Sequence, residues 1–353
     1  MKGMVLRSSL IGALVLACAF ALAAQEAAKH PITFDDMIKM HRVAEPQISP
    51  DGKWVAYTVA TPDMDANRNA GNIWLVSTSG GTPAQLTQSG HDSSPVWSPH
   101  GKAIAFLSSR SGGSQVYLLS LAGGEAQRLT KLSTGADFVK WSPDGKTIAF
   151  TSSVYPDCKD DDCNSKRDAE KEKNKVKAHV AERLLYRHWD HWIDGKRSHL
   201  FVVPTDGSAA PRDLNPSADY DVPPDQRGGP GDINFSPDSK ELCFTAVTDK
   251  MEAISTNGDL FTVPVAGGEI KRITTQPGFD GEPVYSPDGK YIAYHAQLTP
   301  GYESGRWCVM LYDRQSGKIE NLSEGFDRSV DELAWSADSK TIYFTAENET
   351  QKP

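Results

Sequence analysis

The sequence predicts an all-β protein, a β-propeller of about six four-stranded blades with a helical insertion in the third blade and an incomplete sixth. A hairpin signature recurs six times, and a second pair of strands follows each of the first five copies. Glycine and proline are frequent, at 29 and 22 of 353 residues. Repeats of about 40–50 residues with four short strands are typical of propeller blades, whose apolar faces are buried by stacking one blade on the next.

Each hairpin signature is built around Ser-Pro-Asp-Gly or a close variant. Proline presets φ for the first turn position, aspartate tolerates the second, and glycine adopts the left-handed conformation that closes the turn. A lysine and a strand rich in β-forming residues follow. The copies begin at Ile48, Trp97, Trp141, Phe235, Tyr285 and Trp335. Turn chemistry accounts for every residue type in the signature, so we interpret it as scaffold and assign it no ligand.

The second strand pair completes each predicted blade with an apolar strand, a turn containing glycine and a short strand. Successive signature serines are 49, 44, 94, 50 and 50 residues apart, so the double interval holds one repeat and an insertion of about 154–197. The predicted propeller occupies residues 48–353. The sixth hairpin, Leu333 to Thr345, is followed by only a short polar segment. Because an unpaired strand edge promotes aggregation, we expect further blade after Pro353.

The amino terminus predicts export. Lys2 and Arg7 precede an apolar run from Leu10 to Leu22, and an Ala-Leu-Ala site follows, so residues 1–23 are interpreted as a cleaved signal peptide. A retained anchor and lipidation at Cys18 are the alternatives, although the apolar run continues past Cys18. The expected product is a periplasmic or secreted soluble protein, in which residues 24–47 form an N-terminal segment with a short helix.

The charge of the chain disfavours two classes of partner. Removal of the signal peptide takes the formal net charge from −9 to −11. An acidic surface repels phosphate backbones and anionic lipid headgroups. We therefore expect no nucleic-acid partner and no membrane span after signal cleavage.

Four cysteines remain after the predicted cleavage. Cys158 and Cys163 are close enough in sequence to form a small disulfide loop in an oxidising compartment, or they stay as thiols. Cys243 and Cys308 lie within apolar strand patterns, so we expect them to be small buried hydrophobic residues.

The insertion departs from the repeat and is the predicted place for recognition. Val176, Val180 and Leu184 recur at helical spacing, which predicts a helix of four to five turns. A run rich in aromatic and ionisable residues follows it. The insertion is either a recognition element at the channel mouth or an appendage packed on its own blade. His188 and His191 resemble a metal pair, but no third ligand is evident, and the sequence predicts neither a metal nor a cofactor.

Two segments outside the turns resemble a known family. Phe34 to Gly52, FDDMIKMHRVAEPQISPDG, and Arg187 to Val202, RHWDHWIDGKRSHLFV, are similar to exported prolyl oligopeptidase-family serine peptidases of the dipeptidyl peptidase 5 and acylaminoacyl-peptidase group. The resemblance covers Thr33 to Thr345 and corresponds to their N-terminal half. It implies a propeller that admits short peptides to a C-terminal α/β-hydrolase domain, which would be its partner.

The catalytic machinery of that family is not found in this sequence. No G-x-S-x-G nucleophile elbow occurs, so no catalytic residue is carried over, and the chain is expected to be inert alone. The resemblance implies that an insertion of the propeller captures the substrate's amino terminus. That substrate-binding role falls on Glu182, Tyr186, Arg187, His188, Trp189 and Asp190. The alternative function is a stand-alone, TolB-like interaction propeller of the bacterial envelope.

Overall fold

The repeated hairpins form the first two strands of successive antiparallel sheets. The computed structural model describes residues 30–225 and 227–348, and within them five sheets have four strands each in sequential order. Blade one contains β1 (Arg42–Ile48), β2 (Trp54–Asp63), β3 (Arg68–Ser77) and β4 (Ala84–Gln85), and blade two contains β5 (Asp92–Trp97), β6 (Ala103–Ser108), β7 (Gln115–Ser120) and β8 (Gln127–Arg128). The predicted all-β fold with a helical insertion is confirmed.

The remaining blades follow the same pattern. Blade three contains β9 (Asp137–Trp141), β10 (Thr147–Val154), β13 (Arg197–Pro204) and β14 (Arg212–Asp213), with the insertion hairpin of β11 (Arg187–His188) and β12 (His191–Trp192) between its second and third strands. Blade four contains β15 (Ile233–Phe235), β16 (Glu241–Val247), β17 (Gly258–Pro264) and β18 (Lys271–Arg272); blade five contains β19 (Phe279–Tyr285), β20 (Tyr291–Gln297), β21 (Trp307–Asp313) and β22 (Ile319–Asn321). β23 (Asp331–Trp335) and β24 (Ile342–Thr345) form the sixth hairpin. Short 3-10 helices cover Pro230–Asp232 and Glu252–Ile254.

The chain divides into two compact units, residues 1–40 and 41–353. The described part of the first unit contains helix α1 (Phe34–Ile38). Thr33 and Asp36 form a capping box at its N-terminus. The predicted signal peptide lies outside the described residues. The second unit is the propeller, and its first strand begins at Arg42, six residues before the predicted boundary at residue 48. No helix in the described part of the chain is long and apolar enough to cross a membrane.

The hydrophobic core lies between the blades. Phe150 and Phe201 of blade three pack with Leu107 and Val116 of blade two, and a separate cluster joins blades three and four. Cys243 and Cys308 are buried free thiols in the cluster of blades four and five, in agreement with the sequence. Each blade therefore buries its apolar faces on its neighbours, as a repeat array requires.

The signature serines organise the turns on one face of the propeller. In every unit the serine Oγ accepts a hydrogen bond from the backbone N–H five residues later, at 2.9–3.0 Å. In all units except that of Ser98, where His100 replaces the aspartate, the hydroxyl also donates to the aspartate two residues on, at 2.6–2.7 Å. Each turn is thus closed by its own side chains.

The Trp or Tyr that precedes four of the six signature serines has a role that the sequence does not reveal. The indoles of Trp97, Trp141 and Trp335 donate to carbonyls of the preceding blade, at 2.8, 3.2 and 3.1 Å. The hydroxyl of Tyr285 donates to Glu241 of blade four at 2.7 Å. The turn signature therefore also joins neighbouring blades.

The insertion contains a helix, but not where the apolar spacing predicts it. Helix α2 (Asp161–Lys173) lies in the charged segment before the stripe, whereas Val176, Val180 and Leu184 are exposed and irregular. Asp160 caps α2 by accepting from the Cys163 N–H at 2.9 Å. Acidic residues occupy the first turn and lysines the last, which favours the helix dipole. The prediction is wrong because the stripe has no apolar surface to cover, while the charged segment has its own caps.

Candidate functional site

The variable loops of the propeller lie on the face opposite the signature turns. This loop face carries the connections between second and third strands and those between blades, because each blade is a simple meander. The insertion is the largest of these connections and joins β10 to β13. Two clefts open on the loop face.

The first cleft lies between the insertion and blades two to four and has a volume of about 730 Å³. Its insertion side presents Lys171, His191, Trp192, Asp194 and Lys196. Lys171 Nζ lies 2.5 Å from Asp194, and His179 Nδ1 lies 2.8 Å from the other oxygen of that carboxylate. Burial opposes ionisation of Asp194, but the hydrogen bonds from Lys171 and His179 outweigh it and lower its pKa.

A buried ionic network holds the base of the insertion. Arg197 is 4% exposed and its guanidinium lies 2.7 Å from Asp221 and 3.1 Å from Glu252. Asp219 accepts two hydrogen bonds from Arg183, both at 2.6 Å, and a longer one from Arg197. Burial raises the pKa of Asp221 although Arg197 opposes it. The network joins the insertion to the connection between blades three and four.

A disulfide closes the first turn of the insertion. Cys158 and Cys163 are bonded, and their Cα atoms are 5.4 Å apart. The buried side chain of Asn164, the next residue of α2, accepts from the Tyr155 N–H at 2.8 Å. Both contacts fix the start of α2 to the end of β10.

The predicted substrate-binding residues surround a hairpin turn of the insertion. Trp192 is the centre of the group. The rings of His179 and Tyr186 stack on it, with centroid distances of 4.1 and 6.1 Å, and the Arg187 guanidinium lies 5.9 Å from the centroid of the Trp192 ring. These contacts arrange the aromatic residues within the insertion. They do not direct Tyr186 or Arg187 to the first cleft, which Trp192 and His191 line instead.

The other predicted residues are more exposed. Trp189 is 85% exposed, and the side chain of Asp190 is fully exposed. Glu182 is exposed and makes no hydrogen bond or ion pair with any residue that the structure describes. His188 is the exception, because its Nδ1 lies 3.0 Å from Asp225, a residue of the connection between β14 and β15.

His188, His191 and Asp225 form a group that could hold a metal ion. One ligand atom from each lies within 4.8 Å of the others. Sequence analysis missed the third member because Asp225 is 34 residues beyond His191 and has no motif around it. Only the fold places it beside the hairpin.

The second cleft lies between blades four, five and six and has a volume of about 630 Å³. Trp307 makes edge contacts with Phe279 and His295, at centroid distances of 5.8 and 6.3 Å. His295 is buried and its Nδ1 lies 2.8 Å from the Glu282 carboxylate. The Arg227 guanidinium lies 5.6 Å from the Phe279 ring. The cleft thus combines aromatic walls with charged groups, and no sequence motif predicts it.

Polar residues on the first strands link three blades near the second cleft. Lys140 of blade three donates to Asn234 of blade four at 2.8 Å, and Asn234 donates to the Pro283 carbonyl of blade five at 2.6 Å. Burial lowers the pKa of Lys140 to about 8. Asp232 accepts from Thr245 and from the Glu282 N–H, at 2.6 and 2.9 Å, and burial raises its pKa.

The side chains that the structure describes in the two clefts are suited to binding a ligand. None of their serine or cysteine side chains bonds to a histidine that a carboxylate also holds, which is the arrangement of an activated nucleophile. The clefts instead present carboxylates, cations and aromatic rings at fixed positions. Such groups bind and orient a polar ligand.

Comparison with known proteins agrees with the fold. Residues 62–162 match the family model described as the Tricorn protease N-terminal beta propeller domain. The acylaminoacyl peptidase of Pyrococcus horikoshii superposes with a TM-score of 0.63 at 15% identity, over 88% of this chain and 43% of that chain. The β-propeller domain of the Trilobed protease from Pyrococcus furiosus gives 0.55 at 14% identity, over 88% and 79%. At this identity the structural likeness concerns the fold alone.

Sequence relatives extend the agreement to almost the whole chain. Dipeptidyl-peptidase 5 of Porphyromonas gingivalis is 28% identical over 336 residues, which are 91% of this chain and 47% of that protein. Dipeptidyl-peptidase 5 of Arthroderma otae is 26% identical over 339 residues, 89% of this chain and 46% of that protein. The chain therefore spans about half the length of these relatives. The resemblance predicted from its sequence is confirmed.

Proposed function

We propose that this chain is the substrate-gating propeller of an exported serine peptidase that cleaves short peptides, of the dipeptidyl peptidase or acylaminoacyl-peptidase type. The observation that carries the proposal is the similarity to dipeptidyl-peptidase 5 over 91% of the chain. In this proposal the chain is inactive without an α/β-hydrolase domain, which supplies the serine nucleophile and its base. The propeller's part is to select and orient the peptide.

The clefts of the loop face support selection by size. Volumes of about 630 and 730 Å³ lie within the range of about 300–1,000 Å³ that small ligands occupy. A short peptide fits such a cleft in an extended conformation, whereas a folded protein does not. The aromatic walls around Trp307 and Trp192 suit peptide side chains and backbone.

The charge of the loop face supports capture of a peptide amino terminus. The carboxylates of Glu182 and Asp190 are exposed and have no lysine or arginine partner among the described residues. An ammonium group approaching either carboxylate gains a charge-assisted hydrogen bond. Tyr186, Arg187, His188 and Trp189 belong to the same proposed subsite. Their role is to shape the approach to these carboxylates.

Peptidase activity tests the proposal directly. The 353-residue chain is assayed with dipeptidyl aminomethylcoumarin substrates and a fluorophosphonate probe, beside the product of a reading frame extended through a hydrolase domain. We expect the extended protein to hydrolyse the substrates and to be labelled, and the 353-residue chain to do neither. Labelling of the shorter chain would place a nucleophile within it, and an extended protein without activity would contradict the proposal.

Substitutions in the extended protein test whether the second cleft contacts the peptide substrate. Trp307→Ala removes an aromatic wall of the second cleft, so we expect KM to rise about 3- to 10-fold with little change in kcat. The exposed Tyr302 lies outside that cleft's lining, and Tyr302→Ala is the matched control. Equal kinetics for the two variants would remove the second cleft from the peptide's path.

A substrate with a blocked amino terminus tests the proposed subsite. Glu182→Gln and Asp190→Asn are compared on peptides with free and acetylated amino termini. We expect a higher KM for the free peptide alone, because only its ammonium group pairs with a carboxylate. A similar change for both peptides would argue against capture of the amino terminus.

Cell fractionation and amino-terminal sequencing of the mature protein test the proposed export.

A further inference from the structure

Two imidazoles lie side by side at the tip of the insertion. β11 and β12 pair antiparallel, with His188 opposite His191, and Trp189 adopts a φ of 44° in the two-residue turn between them. Residues directly opposite on paired strands project to the same face. The two rings are accordingly 5.6 Å apart, centroid to centroid, and nearly perpendicular.

A carboxylate from another part of the propeller meets these rings. Asp225 lies in the connection between β14 and β15, and its Oδ2 is 3.0 Å from His188 Nδ1 while its Oδ1 is 3.6 Å from His191 Nε2. In a tetrahedral zinc site, metal–ligand distances of about 2.0–2.2 Å place neighbouring ligand atoms about 3.3 Å apart. The two nitrogen–oxygen separations of 3.0 and 3.6 Å lie close to that distance, and one ligand atom from each residue lies within 4.8 Å of the others.

The carboxylate of Asp225 also lacks a satisfying partner. Its Oδ2 is buried and makes no hydrogen bond of acceptable geometry, despite its short distance to the His188 ring. Asp225 has no lysine or arginine partner in the described part of the chain. A buried carboxylate oxygen without a hydrogen bond is costly, and a bound cation is one way to satisfy it.

We propose that His188 Nδ1, His191 Nε2 and the Asp225 carboxylate bind a divalent transition-metal ion of the zinc class. Imidazole nitrogens with one carboxylate suit zinc, whereas calcium and magnesium prefer all-oxygen sites. Three protein ligands leave a fourth position for water or for a polar group of a ligand. The proposal goes beyond the peptidase assignment and does not depend on it.

The metal would fasten the insertion to the ring. His188 and His191 belong to the insertion hairpin, and Asp225 belongs to the connection that leads into blade four. His191 and Asp225 both line the first cleft, so the ion would fix one edge of that cleft.

Zinc binding to the purified full chain tests the site. The untagged protein is stripped with a chelator and titrated with zinc sulfate by calorimetry, with metal analysis after dialysis. We expect one zinc per chain in the wild type, and affinity reduced by more than about tenfold in His188→Ala, His191→Ala and Asp225→Asn. His100→Ala is the matched control, because His100 is exposed in a turn on the opposite face. The absence of stoichiometric zinc, or equal affinity in all variants, would overturn the proposal.

Two further measurements separate metal binding from a histidine–aspartate ion pair and from misfolding. Cobalt(II) bound by the wild type should give the visible absorption of a tetrahedral site, and Asp225→Asn should lose it while melting at the wild-type temperature. Zinc should slow tryptic cleavage in the lysine-rich segment 166–177 of the wild type but not of the variant. If Asp225→Asn unfolds, His191→Ala at an exposed position replaces it. Zinc binding without protection would contradict the fastening role.

Discussion

The two faces of this propeller are held together by different kinds of interaction. On the turn face, one serine accepts the same short-range hydrogen bond in every unit, and in four units the Trp or Tyr before it bonds to the preceding blade. On the loop face, contacts such as Arg183 with Asp219 and His188 with Asp225 occur once and join residues far apart in sequence. Repetition therefore builds the ring, and unique contacts build the candidate site.

The difference also concerns how much each face contributes to stability. The cores between blades bury large aromatic and aliphatic side chains completely, whereas the insertion leaves many of its apolar and aromatic side chains exposed. Exposed ion pairs contribute about 0–1 kcal/mol each, and a fully buried large apolar side chain contributes about 1.5–3 kcal/mol. Substitutions in the blades should therefore change stability, and those in the insertion should mainly change binding.

The largest expected effect compares a core aromatic residue with an insertion aromatic residue. Phe150 is fully buried between blades two and three, so Phe150→Ala should lower the free energy of unfolding by about 3–5 kcal/mol. Trp189 is 85% exposed, and Trp189→Ala should change it by less than about 0.5 kcal/mol. Urea denaturation of both variants measures the difference. Comparable losses would mean that the insertion is part of the folding core.

The next comparison tests whether equivalent positions of the ring behave alike. Asp92 and Asp280 both lie three residues before the proline of their first strand and are buried. Asp92 accepts from Ser108 and Arg110, at 2.6 and 2.7 Å, and these bonds outweigh burial and lower its pKa. Asp280 accepts from the neutral Gln276 amide at 2.7 Å, and burial raises its pKa to about 7. One oxygen of each carboxylate makes no hydrogen bond, so the contrast lies in the charged partner that Arg110 gives to Asp92.

The two carboxylates should therefore have opposite pH dependences. Since the folded state holds the proton of Asp280 more tightly than the unfolded state, its contribution to stability declines from about pH 4 to about pH 7. Asp280→Asn should stabilise the protein by about 2 kcal/mol at pH 8 and by little at pH 4. The contribution of Asp92 is present above its unfolded pKa and is lost as pH falls, so Asp92→Asn should destabilise at pH 8. Unfolding measured at both pH values tests this, and equal signs for the two variants at pH 8 would refute it.

A smaller effect is expected for the serines of the two faces. Ser142 is buried, donates to Asp144 at 2.6 Å and accepts from the Thr147 N–H at 2.9 Å, so Ser142→Ala should cost about 1–2 kcal/mol. Ser133 is exposed and donates to Asp161 of the insertion at 2.7 Å. Ser133→Ala should cost less than about 0.5 kcal/mol, because water replaces the lost bond. Thermal melts measure the change in melting temperature of each variant. Equal changes would contradict the expectation that the turn-face serine contributes more to stability than the loop-face serine.

The smallest effect concerns a turn that departs from the glycine pattern. Ser239 takes the glycine position with a φ of 62°, and its hydroxyl accepts from the Asp144 N–H of blade three at 3.0 Å. Ser239→Gly relieves the left-handed backbone but loses that bond, so the net change should stay within about 0.5 kcal/mol. Ser239→Ala loses the bond without the relief and should cost about 1 kcal/mol. If the glycine variant were less stable than the wild type by more than about 0.5 kcal/mol, the bond between blades would outweigh the backbone strain. A glycine variant less stable than the alanine variant would contradict the relief of strain.

The sequence alone determined the blades because their signals are local. Ser-Pro-Asp-Gly or a close variant closes each turn within four residues, and strand formers follow, so six copies specify six hairpins without knowledge of the ring. The insertion interrupts the regular spacing of these copies, and in the structure it joins Val154 at the end of β10 to Arg197 at the start of β13. The resemblance of the two longer segments then pointed to the correct relatives.

Only the tertiary structure decided where the candidate site lies. Helix α2 formed on the charged segment and not on the apolar stripe, because no neighbouring surface was available to bury Val180 or Leu184. Asp225 reaches the histidine pair, and Arg227 reaches the Phe279 ring of blade five, through the stacking of blades, which no spacing in the chain encodes. A turn needs only its own residues, whereas a cleft or a metal site needs groups that the ring brings together from separate blades.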